Sequence, residues 1–237
     1  MMTDPSSFLR GGRHRSLVGF AVGATLLLAA CGSSDSGSSS GSSVDVQEEG
    51  SQEIGDVSPD RVLAGIVREP SPVVDGTSIP SLTNGGDDVV FRAQPGGLQV
   101  VYFGYTNCPD VCPTTMFDHV VSLRLLPDDM AEQVDTVMVT VDPDRDLELL
   151  TGYVQSFVPD GEAAGTADPA VLEVAAEPFG VSYDVVEASD GSIEVSHSGF
   201  LYVVGDNGEL LLAWPFGTSS EEMAADMFQL LSSAATS

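Results

Sequence analysis

The run Leu98-Gln99-Val100-Val101-Tyr102-Phe103-Gly104-Tyr105 passes directly into Thr106-Asn107-Cys108-Pro109-Asp110-Val111-Cys112-Pro113. A largely apolar, β-rich run of this kind predicts a strand buried on both faces, inside a sheet covered on either side. The Pro- and Cys-rich stretch after it is a turn, and Pro113 suits the first position of a helix. From Thr114 to Leu126 the apolar residues Met116, Val120 and Leu123, with Phe117, Val121 and Leu125 beside them, mark a helical face. Two cysteines therefore sit where a buried strand gives way to a helix.

Further elements follow in the same rhythm. Val134 to Val141 is a second Val-rich strand closed by Asp142-Pro143-Asp144, and helices are expected over Leu147 to Val158 and Pro169 to Phe179. Gly199 to Val204 and Glu209 to Trp214 read as strands joined by Gly205-Asp206-Asn207-Gly208, a strong hairpin signal. An amphipathic helix from Ser220 to Ser232 closes the chain. Strand–helix–strand–helix–helix followed by a hairpin and a helix is the order of an α/β, thioredoxin-like fold: a central mixed sheet flanked by helices. Upstream, Val62 to Val67 and Pro72 to Gly76 are read as short strands with turns.

At a strand-to-helix switch, backbone amides and the helix dipole favour the thiolate, the form that binds metal or attacks a disulfide. The spacing is Cys-x-x-x-Cys, wide enough for both sulfurs to close a disulfide or converge on one ion with a coordination position left open. Soft thiolates suit Cu(I) and Zn, and imidazole suits Cu(II) and Zn, so two cysteines and a histidine can hold either copper oxidation state. Two histidines lie beyond the N-terminal region, His119 and His197. His197 precedes a predicted strand whose entry loop packs beside the cysteine loop in a thioredoxin-like sheet, which makes it the third candidate ligand. His119 lies two helical turns past Cys112, about 10 Å along the axis, and is read as a surface or helix-face residue.

Acidic residues outnumber basic ones 36 to 8, for a net charge of −28, and every basic residue is arginine. So large an excess argues against nucleic acid as a partner, since phosphate contacts need Lys and Arg; it reads as a solvated acidic surface, with a surface suited to one cationic partner as the alternative. Three of the arginines (Arg10, Arg13, Arg15) precede an uncharged run of 14 residues from Leu17 to Ala30. That run is short for a membrane span and matches the core of a secretory signal. It ends Leu28-Ala29-Ala30-Cys31, which resembles the bacterial lipobox, so Cys31 is the expected lipidation site. Gly32 to Ser43 is almost only Ser and Gly and continues into an acidic stretch. It is a flexible tether with a reach of about 25–30 Å. The expected organisation is residues 1-30 signal peptide, 31-58 lipidated cysteine and linker, and 59-237 folded domain. The domain is then held at the cell membrane by its lipid, facing the extracytoplasmic side, where thiols can be oxidised.

Three segments resemble one known family. Val101 to Thr114 is similar to the metal loop of the Sco/SenC copper proteins. Val141-Asp142-Pro143-Asp144-Arg145-Asp146 resembles that family's Asp-Pro-x-Arg-Asp segment, and Val195-Ser196-His197-Ser198 its Asp-His-Ser motif. The resemblance implies copper, as Cu(I) or Cu(II), bound by Cys108, Cys112 and His197. It also implies a role in assembling the binuclear copper centre (CuA) of cytochrome c oxidase. The partners so implied are oxidase subunit II or its assembly factors, and other copper chaperones. Asp142 and Asp144 would lie near the metal loop, where they shape its neighbouring turn or, as the alternative, contact the metal or a partner. One departure concerns the family's apolar strand between the mid-chain helices: here it is Asp160-Gly161-Glu162-Ala163-Ala164-Gly165-Thr166, and that edge is expected to be irregular.

Two functions compete. The first is a copper chaperone, a transfer protein rather than a turnover enzyme. The second is a thiol-disulfide oxidoreductase using Cys108 and Cys112 as its redox pair, one attacking and the other resolving. His197 discriminates them, because a reductase does not need it. Peroxidase chemistry is weaker, since it needs a lone cysteine beside an activating arginine, and Arg124 is the only arginine nearby in sequence.

Overall fold

The computed structural model describes residues 53–58, 61–83, 85 and 87–234. The signal segment, Cys31 and most of the linker lie outside the described residues. In chain order the elements are β1 (Ser78–Pro80), β2 (Asp88–Val90), β3 (Leu98–Gly104), α1 (Val111–Leu125), α2 (Asp128–Ala131), β4 (Val134–Thr140), α3 (Pro143–Asp146), α4 (Leu150–Phe157) and β5 (Glu162–Ala164). Then come α5 (Pro169–Ala176), a 3₁₀ turn (Glu177–Phe179), β6 (Tyr183–Glu187), β7 (Ile193–His197), β8 (Phe200–Gly205), β9 (Leu210–Pro215) and α6 (Ser220–Ala234).

The main sheet has five strands in the order β5-β4-β3-β8-β9. β4 runs parallel to β3 and β5 parallel to β4, while β8 is antiparallel to β3 and β9 to β8. All seven residues of β3 are buried, as its unbroken apolar run requires of a central strand. On one face Phe179 gathers Phe91, Phe103 and Tyr202, with ring centroids 4.9, 5.2 and 5.2 Å away. The mixed sheet and its helices are the thioredoxin-like architecture that the order of elements predicts, and the Gly205–Gly208 hairpin turn falls where expected, with Gly208 at φ +76°.

Several local expectations need correction. The stretches Val62–Val67 and Pro72–Gly76 do not form strands; they touch the sheet through single bridges, Ile66 to Ala213 and Val73 to Glu209. Prolines at 70 and 72 cannot donate to a ladder, so the segment lies as an extended strap along β9. Buried Asp226 of α6 fastens the strap, accepting from the amides of Ala64 (3.0 Å) and Gly65 (2.9 Å), from Arg61 and from the Trp214 indole (2.9 Å). The edge expected to be irregular is instead ordered as β5, whose Ala163 and Ala164 are fully buried and pair with Met138 and Val139. Small side chains suffice there because Leu82 and Ser81 pack over the edge, with Leu82 donating to the Ala163 carbonyl. The helix expected over Leu147 to Val158 is α4, which starts only at Leu150, and the short α3 precedes it in the stretch read as the close of the second strand. The β6–β7 hairpin was not foreseen: its residues are mostly exposed, so no apolar alternation announces it.

His119 is the sharpest correction. It is wholly buried, not on the surface, and its Nε2 lies 2.9 Å from Thr136 Oγ1 on β4. The helical face turns it inward with Met116 and Val120, while Phe117 is exposed. Burial pushes its pKa down to about 4. The unfolded chain therefore takes up a proton near the ordinary value of about 6.5 that the folded chain refuses. This contribution to stability is complete above about pH 6.5 and is lost as the pH falls toward 4. Replacing His119 by Gln keeps a polar group facing Thr136 but removes the titration. Between about pH 7 and 4.5, urea unfolding should show the unsubstituted chain losing about 2–3 kcal/mol more stability than His119→Gln. Parallel losses in the two proteins would contradict the assignment.

Candidate metal centre

The site forms where β3 ends. α1 begins at Val111, so Cys112 and Pro113 occupy its first turn, where amides lack intrahelical partners. Asp110, the residue before the helix, makes no side-chain cap. The sulfur of Cys108 takes that place and accepts the Cys112 amide at 3.2 Å. Pro113 has no N–H to satisfy, and Thr114 donates to the Asp110 carbonyl at 3.1 Å. The helix start thus holds one sulfur over its exposed amides and buries the other: Cys108 is partly exposed and Cys112 fully buried, both as free thiols.

His197 is the last residue of β7, paired with Tyr183, and comes three residues before β8, the neighbour of β3. Its Nε2 stands 3.5 Å from the Cys112 sulfur. Its Nδ1 lies 3.0 Å from the Ser198 carbonyl, a contact that requires the proton on Nδ1 and leaves the Nε2 lone pair toward the sulfurs. Tyr102 and Tyr105 meet the imidazole edge-on, with centroids 6.0 and 5.7 Å away, and fix its plane. The two sulfurs and the imidazole nitrogen all lie within 4.8 Å of one another. Sequence reasoning placed these three residues together, and the fold brings them together.

The two thiols differ electrostatically. Burial works against the Cys108 thiolate, but the Cys112 and Asp110 amides and the Tyr105 hydroxyl outweigh it, so its pKa falls below the ordinary value. Burial pushes Cys112 up to about 12. Burial, followed by the nearby Cys108 charge, raises Tyr105 to about 12. His197 is shifted down by burial, against the Ser198 carbonyl, which favours the neutral ring that can ligate.

Asp146 is the residue that sequence reasoning passed over. It is fully buried and accepts from the Thr106 amide (2.9 Å), the Thr106 hydroxyl (2.5 Å) and the Thr140 hydroxyl (2.9 Å). It therefore ties the start of the cysteine loop to the end of β4. Its place in the Asp-Pro-x-Arg-Asp segment was the available signal. Asp142 shapes the adjoining turn as expected, accepting from Arg145 Nε at 2.5 Å, and Asp144 is exposed. Tyr102 and Tyr105 carried no signal beyond their place in the strand.

The SCO1/SenC family model matches residues 81–232, a span that contains all three candidate ligands and Asp146. The chain belongs to the SCO1/SenC family. Among solved structures, copper-bound ScoI of Bradyrhizobium japonicum is 30% identical with a TM-score of 0.55, covering 64% of this chain and 94% of its own. Apo Sco1 of Thermus thermophilus is 27% identical with a TM-score of 0.60, covering 71% and 96%. A Stutzerimonas stutzeri protein named for copper binding is 32% identical over 115 residues, 48% of this chain and 56% of that protein. This chain therefore spans little more than half the length of that curated relative.

The asymmetry of the thiols gives a direct test. With limiting iodoacetamide near pH 7.5, Cys108 should be alkylated more than about tenfold faster than Cys112, as read by peptide mass mapping. Faster labelling of Cys112 would contradict the geometry described.

Proposed function

We propose that this SCO1/SenC protein is an extracytoplasmic copper carrier in which Cys108, Cys112 and His197 hold the ion. It delivers that ion to the CuA centre of cytochrome c oxidase while anchored to the cell membrane through lipidated Cys31. The observation that carries the reading is the approach of two sulfurs and one neutral imidazole nitrogen to within 4.8 Å. That donor set is soft enough for Cu(I) and has the nitrogen that Cu(II) favours. Family membership and the copper held by the Bradyrhizobium relative support it. The lipobox-like segment and tether support the location.

As cargo, the ion leaves by ligand exchange. Cys108 is the more exposed sulfur, so an incoming thiolate from a partner meets the ion on that side. Cys112, buried against the sheet, is the ligand that stays longest. His197 is positioned by the hairpin rather than by the cysteine loop, so it can be released without disturbing the sulfurs.

The same asymmetry favours a second reading, thiol-disulfide oxidoreductase activity toward the recipient's cysteines. Cys108 thiolate would attack a partner disulfide, releasing one partner thiolate and forming a mixed disulfide. Cys112, on losing its proton, would then expel the second, leaving Cys108–Cys112 oxidised and the partner reduced by two electrons.

Copper titration of the reduced chain separates them. One Cu(I) per chain is expected, with binding abolished in the Cys108→Ser/Cys112→Ser double variant. His197→Ala should weaken Cu(II) more than Cu(I). Copper binding that survives loss of both cysteines would defeat the carrier reading. Loss of function in His197→Ala with thiol reductase activity intact would defeat the reductase reading.

A further inference from the structure

At the other end of β3, about 20 Å from the thiols by strand length, lies an open cleft of about 450 Å³ between β2, the starts of β3 and β4, and the β5 edge. Asp87, Asp88, Asp135, Asp160 and Glu162 surround it, and none of the described lining residues is basic. Asp88 and Glu162 are bonded to Ser78 and Ser81. Asp135, Thr136 and Asp160 also line an adjoining cleft of about 590 Å³ that adds Asp128 and Glu132.

An acidic rim alone fits any strongly acidic surface. The side chain of Gln99 distinguishes this one. It lines the cleft, is only 6% exposed, and its Nε2 donates to the Val90 carbonyl at 3.3 Å. That bond fixes the amide orientation and leaves Oε1 as a buried acceptor with no donor. The valines Val89, Val90 and Val137 supply apolar lining between the carboxylates. The rim carboxylates surround an open space and do not gather on a point; among the described residues only Cys108, Cys112 and His197 meet the spacing for a single ion. The complementary ligand has an apolar stem, a cationic head and a hydrogen-bond donor.

We propose that this cleft binds a lysine or arginine side chain presented by a basic segment of a partner protein. The methylene stem lies on the exposed Val90 side chain, the cation sits among the carboxylates, and Gln99 Oε1, closed to solvent in the free chain, accepts one N–H after a small outward shift of the side chain. The site is remote from the thiols, so a partner could be held there while the metal centre stays open. It stands whether or not the copper reading does.

The test is fluorescence titration of the full chain with a labelled, amidated Gly-Arg-Lys-Arg-Gly peptide, with folding of each variant checked by circular dichroism. Asp135→Asn/Asp160→Asn should weaken binding about tenfold or more. Glu187→Gln/Glu194→Gln removes the same number of charges from the exposed β6–β7 hairpin and should change it less than about twofold. Gln99→Leu should weaken it about threefold or more. Equal losses in the two charge variants would mean only a diffuse negative field and would overturn the proposal, as would no peptide binding or an unaffected Gln99→Leu. Spermidine binding as tightly as the peptide, with the same variant pattern, would assign the cleft to a free polyamine and overturn the protein partner.

Discussion

The approach of the Cys112 sulfur to His197 Nε2 spans 85 residues of sequence and closes at 3.5 Å. Two registers set that distance. β8 pairs with β3 so that Leu201 faces Tyr102, and β7 pairs with β6 so that His197 faces Tyr183. A slip of one residue in β7 would turn the imidazole to the opposite face of its hairpin. On the far side, Asp146 pins Thr106 to Thr140 and holds the loop from which Cys108 hangs. The meeting of two sulfurs and one imidazole is thus a consequence of sheet register.

Charge is arranged in two layers. The chain as a whole is strongly anionic, a field that draws cations but opposes thiolates. Around the sulfurs the local environment counters that field. Cys108 lies over the main-chain amides of Asp110 and Cys112, and the neighbouring side chains are tyrosines rather than acids. Asp146, the buried carboxylate nearest the loop, is occupied by three hydrogen bonds and does not compete as a hard ligand. Carboxylates instead crowd the opposite end of the sheet, where the cleft beside Gln99 collects them.

The core of this design was readable from the amino-acid order. The strand from Leu98, the turn between the cysteines and the Gly205–Gly208 hairpin are announced by unbroken hydrophobicity, proline and glycine, signals that are local and strong. The three converging residues were legible for the same reason: the cysteines stand at the strand end and His197 at the entry to a strand. What escaped was set by tertiary contact. The β6–β7 hairpin is mostly exposed and has no apolar period to reveal it. Ala163 and Ala164 look too small for a strand until Leu82 covers them. His119 looks like a surface histidine until β4 supplies Thr136. Asp146 works only through the loop it anchors, which no spacing rule encodes.

X-ray absorption at the copper edge of the loaded chain tests the central geometry most directly. Two sulfurs and one nitrogen or oxygen scatterer with the outer-ring signature of imidazole are expected in the first shell, and His197→Ala should remove the imidazole signature while keeping both sulfurs. A shell of sulfurs alone, or an imidazole signature that persists in His197→Ala, would show that the ring facing Cys112 is not a ligand.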